Sequence, residues 1–358
     1  MDFFSPVVPP ARWHHNFSHA MAPYRQAERD LFNAWAEGFP DRDGKLIAEF
    51  QTSFNSTFWE VYLHAMLKSY NMETDWSQSS PDFVTGTPSA PLVIEAVTAA
   101  AALGKPNEWD RMFTAEELLS LKFKAINTEA IIRLSNSILS KYKKYCSGYA
   151  YLDHVKGKPF VIAVAPFEQP HFNLQCDRPI RALLYDHYVD EDEYMASPAE
   201  YPEGPPARRL GYVRKDNGAE IPLGFFNDDG MSHLSAVVYS CTATWGKLAA
   251  MAKNPYLVDS VVQTLWATPP RGAPTKKTCK ILEHEESILD GLQVYHNPFA
   301  CQSLSPAIFR APRVVQHFWD FKTHNWSYEG RTDALLTRQV WAVVPREYRT
   351  NAGENPLV

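Results

Sequence analysis

Residues 79–100 read SSPDFVTGTPSAPLVIEAVTAA, and this stretch decides the fold predicted for the chain. It contains two apolar runs, DFVTG and PLVIEAVTA, separated by the residues TPSA, which are typical of a turn. The pattern therefore predicts a β-hairpin. Glu95 lies inside the second run, where an acid is unusual unless it is paired or lies on an exposed edge strand.

The segment before the hairpin has the pattern of a long amphipathic helix. Residues 44–70 place apolar side chains at helical spacing, and a break is expected near residues 53–56. Glu60 lies in the second half of this helix. The predicted helix can therefore supply a carboxylate near the hairpin.

The segment after the hairpin predicts a second helix and then a strand. Residues 114–145 are helical in pattern, and Thr114 and Glu117 have the spacing of a capping box. The near-continuous apolar run GKPFVIAVAPF at residues 157–167 indicates a central strand covered on both faces. The order helix, hairpin, helix, strand predicts a mixed central sheet flanked by helices, in an α/β or α+β fold.

Three segments are expected along the chain. Residues 1–43 are Pro-rich at their start and predict a flexible N-terminal arm, and residues 44–182 form the core. Residues 183–358 predict a C-terminal extension that either continues the sheet or forms a second subdomain. Further strands are predicted at residues 233–240, 291–300 and 338–345.

Composition limits the classes of protein to which the chain can belong. The 358 residues carry a formal net charge of −6, so the chain as a whole is not the strongly basic type that binds nucleic acid non-specifically. Its five cysteines are far apart and form no CxxC pair, which indicates a reducing compartment. We expect a cytoplasmic protein without membrane contact, and the sequence is compatible with a homo-oligomer.

Three carboxylates are expected to meet near the hairpin. Asp82 starts its first strand, Glu95 lies in its second strand, and Glu60 comes from the preceding helix. Because clustered carboxylates repel one another, such a group persists when it binds a hard cation such as Mg²⁺ or Mn²⁺. A site of this kind suits phosphoryl chemistry.

The same residues resemble the PD-(D/E)xK superfamily, the nucleases with a restriction-endonuclease-like fold. PDF at residues 81–83 resembles its first motif, and VIEAV carries Glu95 where its second acid belongs. The resemblance covers roughly residues 44–167. It implies a metal-dependent nuclease that hydrolyses phosphodiester bonds, with DNA favoured over RNA. It also implies that Asp82 and Glu95 bind the metal and take part in catalysis, while Glu60 supports a second ion or a water.

The chain departs from the family motif at one position. The motif places a lysine two residues after the second acid, and here that residue is Val97. Some members carry the lysine on the following helix, where the candidates are Lys141, Lys143 and Lys144 in SKYKKY, and Lys141 or Lys144 is expected to complete the site. If neither reaches the site, the fold would be an inactive module that binds nucleic acid or a protein.

Other basic and aromatic residues are candidate nucleic-acid contacts, although exposed loops with such residues are often only solvated. The basic segment 271–280 is predicted to be one such loop. The candidates are Lys143, Tyr145, Arg208, Arg209, Lys276 and Lys277. A weaker alternative is a carbohydrate-active hydrolase, because paired acids beside many aromatic residues also suit glycoside hydrolysis.

Overall fold

A computed structural model describes residues 1–110, 121–268, 272–323 and 325–348 of the chain. These residues contain eight α-helices, which connect and flank the strands. The helices are α1 (His15–Ala20), α2 (Gln26–Trp35), α3 (Leu46–Ser53), α4 (Asn55–Ser69), α5 (Phe123–Ser147), α6 (Arg178–Tyr185), α7 (Glu191–Ala196) and α8 (Trp245–Met251).

The main sheet has eight strands in the order β1-β2-β3-β4-β9-β12-β13-β14, with both parallel and antiparallel neighbours. Its strands are β1 (Glu73–Thr74), β2 (Phe83–Thr87), β3 (Ala90–Ala100), β4 (Phe160–Phe167), β9 (Ala236–Tyr239), β12 (Gln293–His296), β13 (Val315–Asp320) and β14 (Asn325–Glu329). The fold is therefore a mixed sheet flanked by helices, which confirms the predicted fold class.

The described residues also form three smaller sheets. A three-stranded sheet has the order β11-β10-β15, and two pairs, β5-β6 and β7-β8, have two strands each. Their strands are β5 (Tyr188–Val189), β6 (Ala207–Arg208), β7 (Tyr212–Arg214), β8 (Glu220–Pro222), β10 (Val261–Trp266), β11 (Thr275–Lys280) and β15 (Leu335–Trp341).

The predicted hairpin and its neighbouring helices are confirmed. β2 and β3 are antiparallel, and Phe83 pairs with Ile94. β3 and β4 are parallel, and α5 lies between them in the chain, as a crossover connection requires. The long helix before the hairpin is interrupted at Phe54, which separates α3 from α4 within the predicted break.

The centre of the sheet is buried on both faces. Every residue of β4 is buried, and successive side chains of a strand point to opposite faces. Both α4 and α5 contact β3, and the indole Nε1 of Trp59 in α4 donates to the carbonyl of Ala163 in β4 at 3.0 Å. The continuous apolar sequence of β4 follows from this burial, as predicted.

The N-terminal segment differs from the expected flexible arm. Phe3, Phe17 and Phe32 are fully buried in the main core, and the rings of Phe3 and Phe50 lie edge to face with centroids 5.3 Å apart. Aromatic side chains bury large apolar areas, so they hold this segment against α3 despite its prolines. Residues 1–43 are thus packed into the fold.

The C-terminal half continues the main sheet through β9, β12, β13 and β14. Residues 338–345, predicted as a strand, contribute to β15, which belongs to the three-stranded sheet instead. The basic segment 271–280, predicted as a loop, forms β11 from Thr275 onwards. The predicted capping box of Thr114 and Glu117 lies outside the described residues.

No helix among the described residues is both long enough and apolar enough to cross a membrane.

Candidate active site

The hairpin brings Asp82 and Glu95 close to each other. Pairing of β2 with β3 ends at Phe83 and Ile94, so Asp82 directly precedes the last pair and Glu95 directly follows it. The charge of Glu95 acts on Asp82 at this end of the hairpin. Asp82 Oδ2 also accepts a hydrogen bond of 2.8 Å from the backbone N–H of Ala96, which fixes this carboxylate against β3.

Glu95 is a buried acid with a cationic partner. Its side chain is only 1% exposed, and its Oε1 accepts a charge-assisted hydrogen bond of 2.7 Å from Lys141 Nζ in α5. Its other oxygen, Oε2, is buried and has no hydrogen-bond partner among the described residues. An acid in the middle of an apolar strand is therefore explained by this pairing, and one of its oxygens remains available to a ligand.

A second lysine approaches the same carboxylate. Lys144 Nζ lies 3.6 Å from Glu95 Oε1, and it also lies 4.9 Å from the ring centroid of Tyr149. A hydrogen bond with Tyr149, followed by the negative charges of Glu95 and Asp82, raises the pKa of Lys144. Val97 is two residues beyond Glu95 on β3, so α5 supplies cations to the face where the family motif has a lysine on the strand.

Glu60 lies on α4 and is electrostatically coupled to the hairpin acids. Burial and, after it, the negative charge of Asp82 raise the pKa of Glu60 to about 7. Burial, followed by the charge of Glu95, also raises the pKa of Asp82. Both lysines that the sequence analysis selected therefore lie beside Glu95, and Glu60 and Asp82 lie within electrostatic range of each other.

Arg42 is a further cation at this site, and the sequence analysis missed it. Its charge lowers the pKa of both Glu60 and Asp82, against the larger effect of burial. Its Nη1 donates to the carbonyl of Gln78 at 3.1 Å, and its guanidinium lies 5.8 Å from the ring centroid of Trp76. No local sequence pattern marks Arg42, because only the tertiary fold brings its loop to the acids.

The acids do not form a complete cage for a metal ion. Within residues 1–110, 121–268, 272–323 and 325–348, no group of three or more His, Cys, Asp or Glu side chains could hold one metal ion. Glu60, Asp82 and Glu95 are therefore not joint ligands of one ion in this arrangement, contrary to the sequence prediction. Mg²⁺ commonly keeps several waters and uses one or two carboxylates. Asp82 and Glu95 are the two acids that would supply such ligands, and Glu95 Oε2 is buried without a hydrogen-bond partner among the described residues.

The candidate nucleic-acid contacts do not form one surface with the acids. Lys143 is exposed on α5, close in the chain to both site lysines. Tyr145 is buried, and its ring stacks on Phe160 with centroids 3.9 Å apart. The prediction that Tyr145 contacts nucleic acid is therefore wrong, because its ring belongs to the core.

Three of the four remaining candidates lie in other sheets, and Arg209 directly follows β6. Arg208 in β6 pairs with Glu193, and Arg209 pairs with Asp186 at 3.2 Å. The other two, Lys276 and Lys277, are exposed on β11 of the three-stranded sheet. All four are accessible, but acids already engage both arginines.

In comparisons with protein families, curated proteins and solved structures, the chain gave no match.

Proposed function

We propose that the protein is a metal-dependent nuclease that hydrolyses phosphodiester bonds, with DNA favoured over RNA. The observation that carries the proposal is the 2.7 Å contact of Lys141 with the buried Glu95, next to the position where Asp82 accepts a hydrogen bond from Ala96. Helix, hairpin, crossover helix and parallel strand also occur in the order that the resemblance to the PD-(D/E)xK superfamily implies.

Asp82 and Glu95 are the residues that would hold Mg²⁺ or Mn²⁺. Such an ion, when bound, polarises a phosphoryl oxygen and lowers the pKa of a coordinated water. Asp82 is held in place by the N–H of Ala96, so little reorientation is required of its carboxylate. Glu95 offers its buried Oε2, while Oε1 stays bonded to Lys141.

Lys141 and Lys144 supply positive charge beside the acids. An ammonium that donates to Glu95 can also donate to a water or to a phosphate oxygen in the same space, and such preorganised donors stabilise charge in the transition state. Lys144 has 57% of its side chain exposed, so it can reach a phosphate group from solution. These local cations matter because the chain as a whole has a net charge of −6.

Glu60 is suited to proton transfer at neutral pH. Because its pKa is raised to about 7, it exists in both protonation states in the range in which a general base is most effective. We assign it the role of accepting a proton from the attacking water, directly or through a second water. Arg42 adds positive charge that acts on Glu60, and we assign it the role of attracting the phosphate.

A second candidate function is an inactive module of the same fold that binds nucleic acid or a protein. The ion pair between Glu95 and Lys141 favours it, because this pair neutralises the acid without a metal ion. The incomplete metal cage among the described residues favours it as well.

Incubation with supercoiled plasmid and with single-stranded DNA separates the two functions. The nuclease is expected to cleave in Mg²⁺ or Mn²⁺ and not in EDTA, and Glu95→Gln and Lys141→Met should each abolish cleavage. Lys124→Met is the matched control on the same helix, because Lys124 is exposed near the start of α5, whereas Lys141 lies near its end. Cleavage that survives both EDTA and Glu95→Gln would overturn the mechanism, whereas DNA binding without cleavage would favour the inactive module.

A further inference from the structure

A second cluster of reactive side chains lies in the C-terminal half, away from the hairpin. Cys279 is on β11, the edge strand of the three-stranded sheet, and its thiol is partly exposed. Its Sγ lies 3.9 Å from Nδ1 of His284. The other ring nitrogen of His284, Nε2, lies 3.1 Å from Oε2 of Glu286. Thiol, imidazole and carboxylate therefore form a continuous relay.

Glu286 is fixed in its ionised form. Burial by itself would raise its pKa, but the charges of Arg338 and Lys247 outweigh this effect and hold the pKa at about 2. Lys247 Nζ and Arg338 Nη1 contact Glu286 Oε1 at 2.6 Å and 2.5 Å, which leaves Oε2 for His284. An ionised carboxylate can only accept hydrogen bonds.

The tautomer of neutral His284 follows from this constraint. Because Glu286 can only accept, Nε2 of His284 must carry the proton and donate it, and Nδ1 is left as an acceptor. That acceptor faces Cys279 Sγ. Lys253 donates to the backbone carbonyl of His284 and so holds the segment that carries the imidazole. A base oriented by a third group and placed beside a nucleophile is the arrangement that activates cysteine in enzymes.

The thiol of Cys279 needs such a base. Burial and then the negative charge of Glu283 raise its pKa, against a smaller lowering by Lys253, so the thiol is protonated at neutral pH. A protonated thiol is a weak nucleophile, and it reacts only as fast as its proton can be removed.

We propose that Cys279 is a modification site that forms mixed disulfides with low-molecular-weight disulfides, and that His284 is its general base. As Sγ attacks one sulfur of the reagent, its proton moves to Nδ1 of His284. The new bond joins Sγ to that sulfur, the disulfide bond of the reagent breaks, and the departing sulfur takes the proton from His284. One disulfide is formed and one is broken, so no further oxidant is required.

The proposal is tested by treating the full-length protein with oxidised glutathione at pH 7 and locating the adducts by peptide mass spectrometry. Cys279 should react roughly a hundredfold faster in the wild-type protein than in His284→Gln, which cannot act as a base. Cys301, the exposed cysteine, is the internal control, and its rate should be the same in both proteins. Equal rates for Cys279 in the two proteins would overturn the proposal.

A second measurement requires only the wild-type protein, so it remains decisive if His284→Gln fails to fold. A proton moves to His284 during attack by Cys279, and this transfer is the step that a solvent isotope effect reports. The solvent deuterium isotope effect on modification of Cys279 should therefore exceed that of Cys301 in the same sample. Identical isotope effects at both cysteines would contradict general-base assistance.

Discussion

Lys141 Nζ lies 2.7 Å from Glu95 Oε1, although the two residues are 46 positions apart in the chain. Lys141 belongs to the helix that crosses over from β3 to β4, and Glu95 belongs to β3 itself. The crossover thus delivers a cation to an acid that is 1% exposed. A buried carboxylate without such a partner is costly, so the pair explains how the acid is tolerated in an apolar strand.

Lys141→Met is expected to lower the free energy of unfolding by about 3 kcal/mol, because it leaves Glu95 buried with only the more distant Lys144 nearby. The double variant Lys141→Met with Glu95→Gln should recover part of this loss, since it removes the unpaired charge. Urea denaturation at pH 7 in EDTA measures both effects. If the single variant is as stable as the wild type, the pair contributes no stability.

Glu60→Gln is expected to stabilise the protein at alkaline pH. The pKa of Glu60 is raised from 4.5 to about 7 by the fold, so the folded state holds a proton that the unfolded state has lost between these values. The contribution of Glu60 to the free energy of unfolding therefore falls as pH rises from about 4.5 to 7, by up to about 3 kcal/mol.

Thermal unfolding in EDTA at pH 5 and pH 8 measures the effect of Glu60→Gln. The variant should gain stability over the wild type at pH 8, with a much smaller difference at pH 5. Glu200→Gln, at an exposed position in the C-terminal half, is a control because it should not change this pH dependence. An equal effect of Glu60→Gln at both pH values would show that Glu60 is not held above its ordinary pKa.

Mg²⁺ is expected to stabilise the folded protein through Asp82 and Glu95. At ten times the dissociation constant, a ligand that binds only the folded state adds about 1.4 kcal/mol to the free energy of unfolding. Asp82→Asn and Glu95→Gln should each remove this gain, whereas Asp153→Asn, at an exposed surface position, should retain it. Differential scanning calorimetry with and without Mg²⁺ checks the prediction. If Mg²⁺ stabilises Asp82→Asn as much as the wild type, Asp82 is not a ligand of the ion.

Arg42→Ala is expected to raise the pKa of Glu60 further, because the positive charge of Arg42 lowers it in the wild-type protein. Carbon-13 NMR of labelled glutamate side chains measures this shift directly and does not depend on any activity. If the protein cleaves DNA, the pH optimum should move to higher pH in the same variant. Arg12→Ala, at an exposed residue, should change neither quantity.

Local sequence patterns were sufficient for much of the fold. Alternation, turn residues and apolar runs predicted the hairpin and β4, because these features depend on neighbours within a few residues. The same patterns predicted a loop where β11 forms. Its lysines are exposed, and exposed lysines occur in loops as well as in edge strands, so they do not distinguish the two. They also predicted an arm for residues 1–43. That prediction relied on the prolines and did not use the aromatic residues, which pack into the core.

The sequence by itself determined that two acids stand on adjacent strands of a hairpin, because a strand period of two and a short turn fix their register. Only the tertiary structure decided that Lys141 reaches Glu95 and that Arg42 approaches Glu60. It alone decided that Cys279, His284 and Glu286 form a relay with Lys247 and Arg338. Apart from the contacts of His284 with Cys279 and Glu286, these contacts join segments that are distant in the chain, and packing of helices and sheets, rather than local periodicity, sets the distances between them.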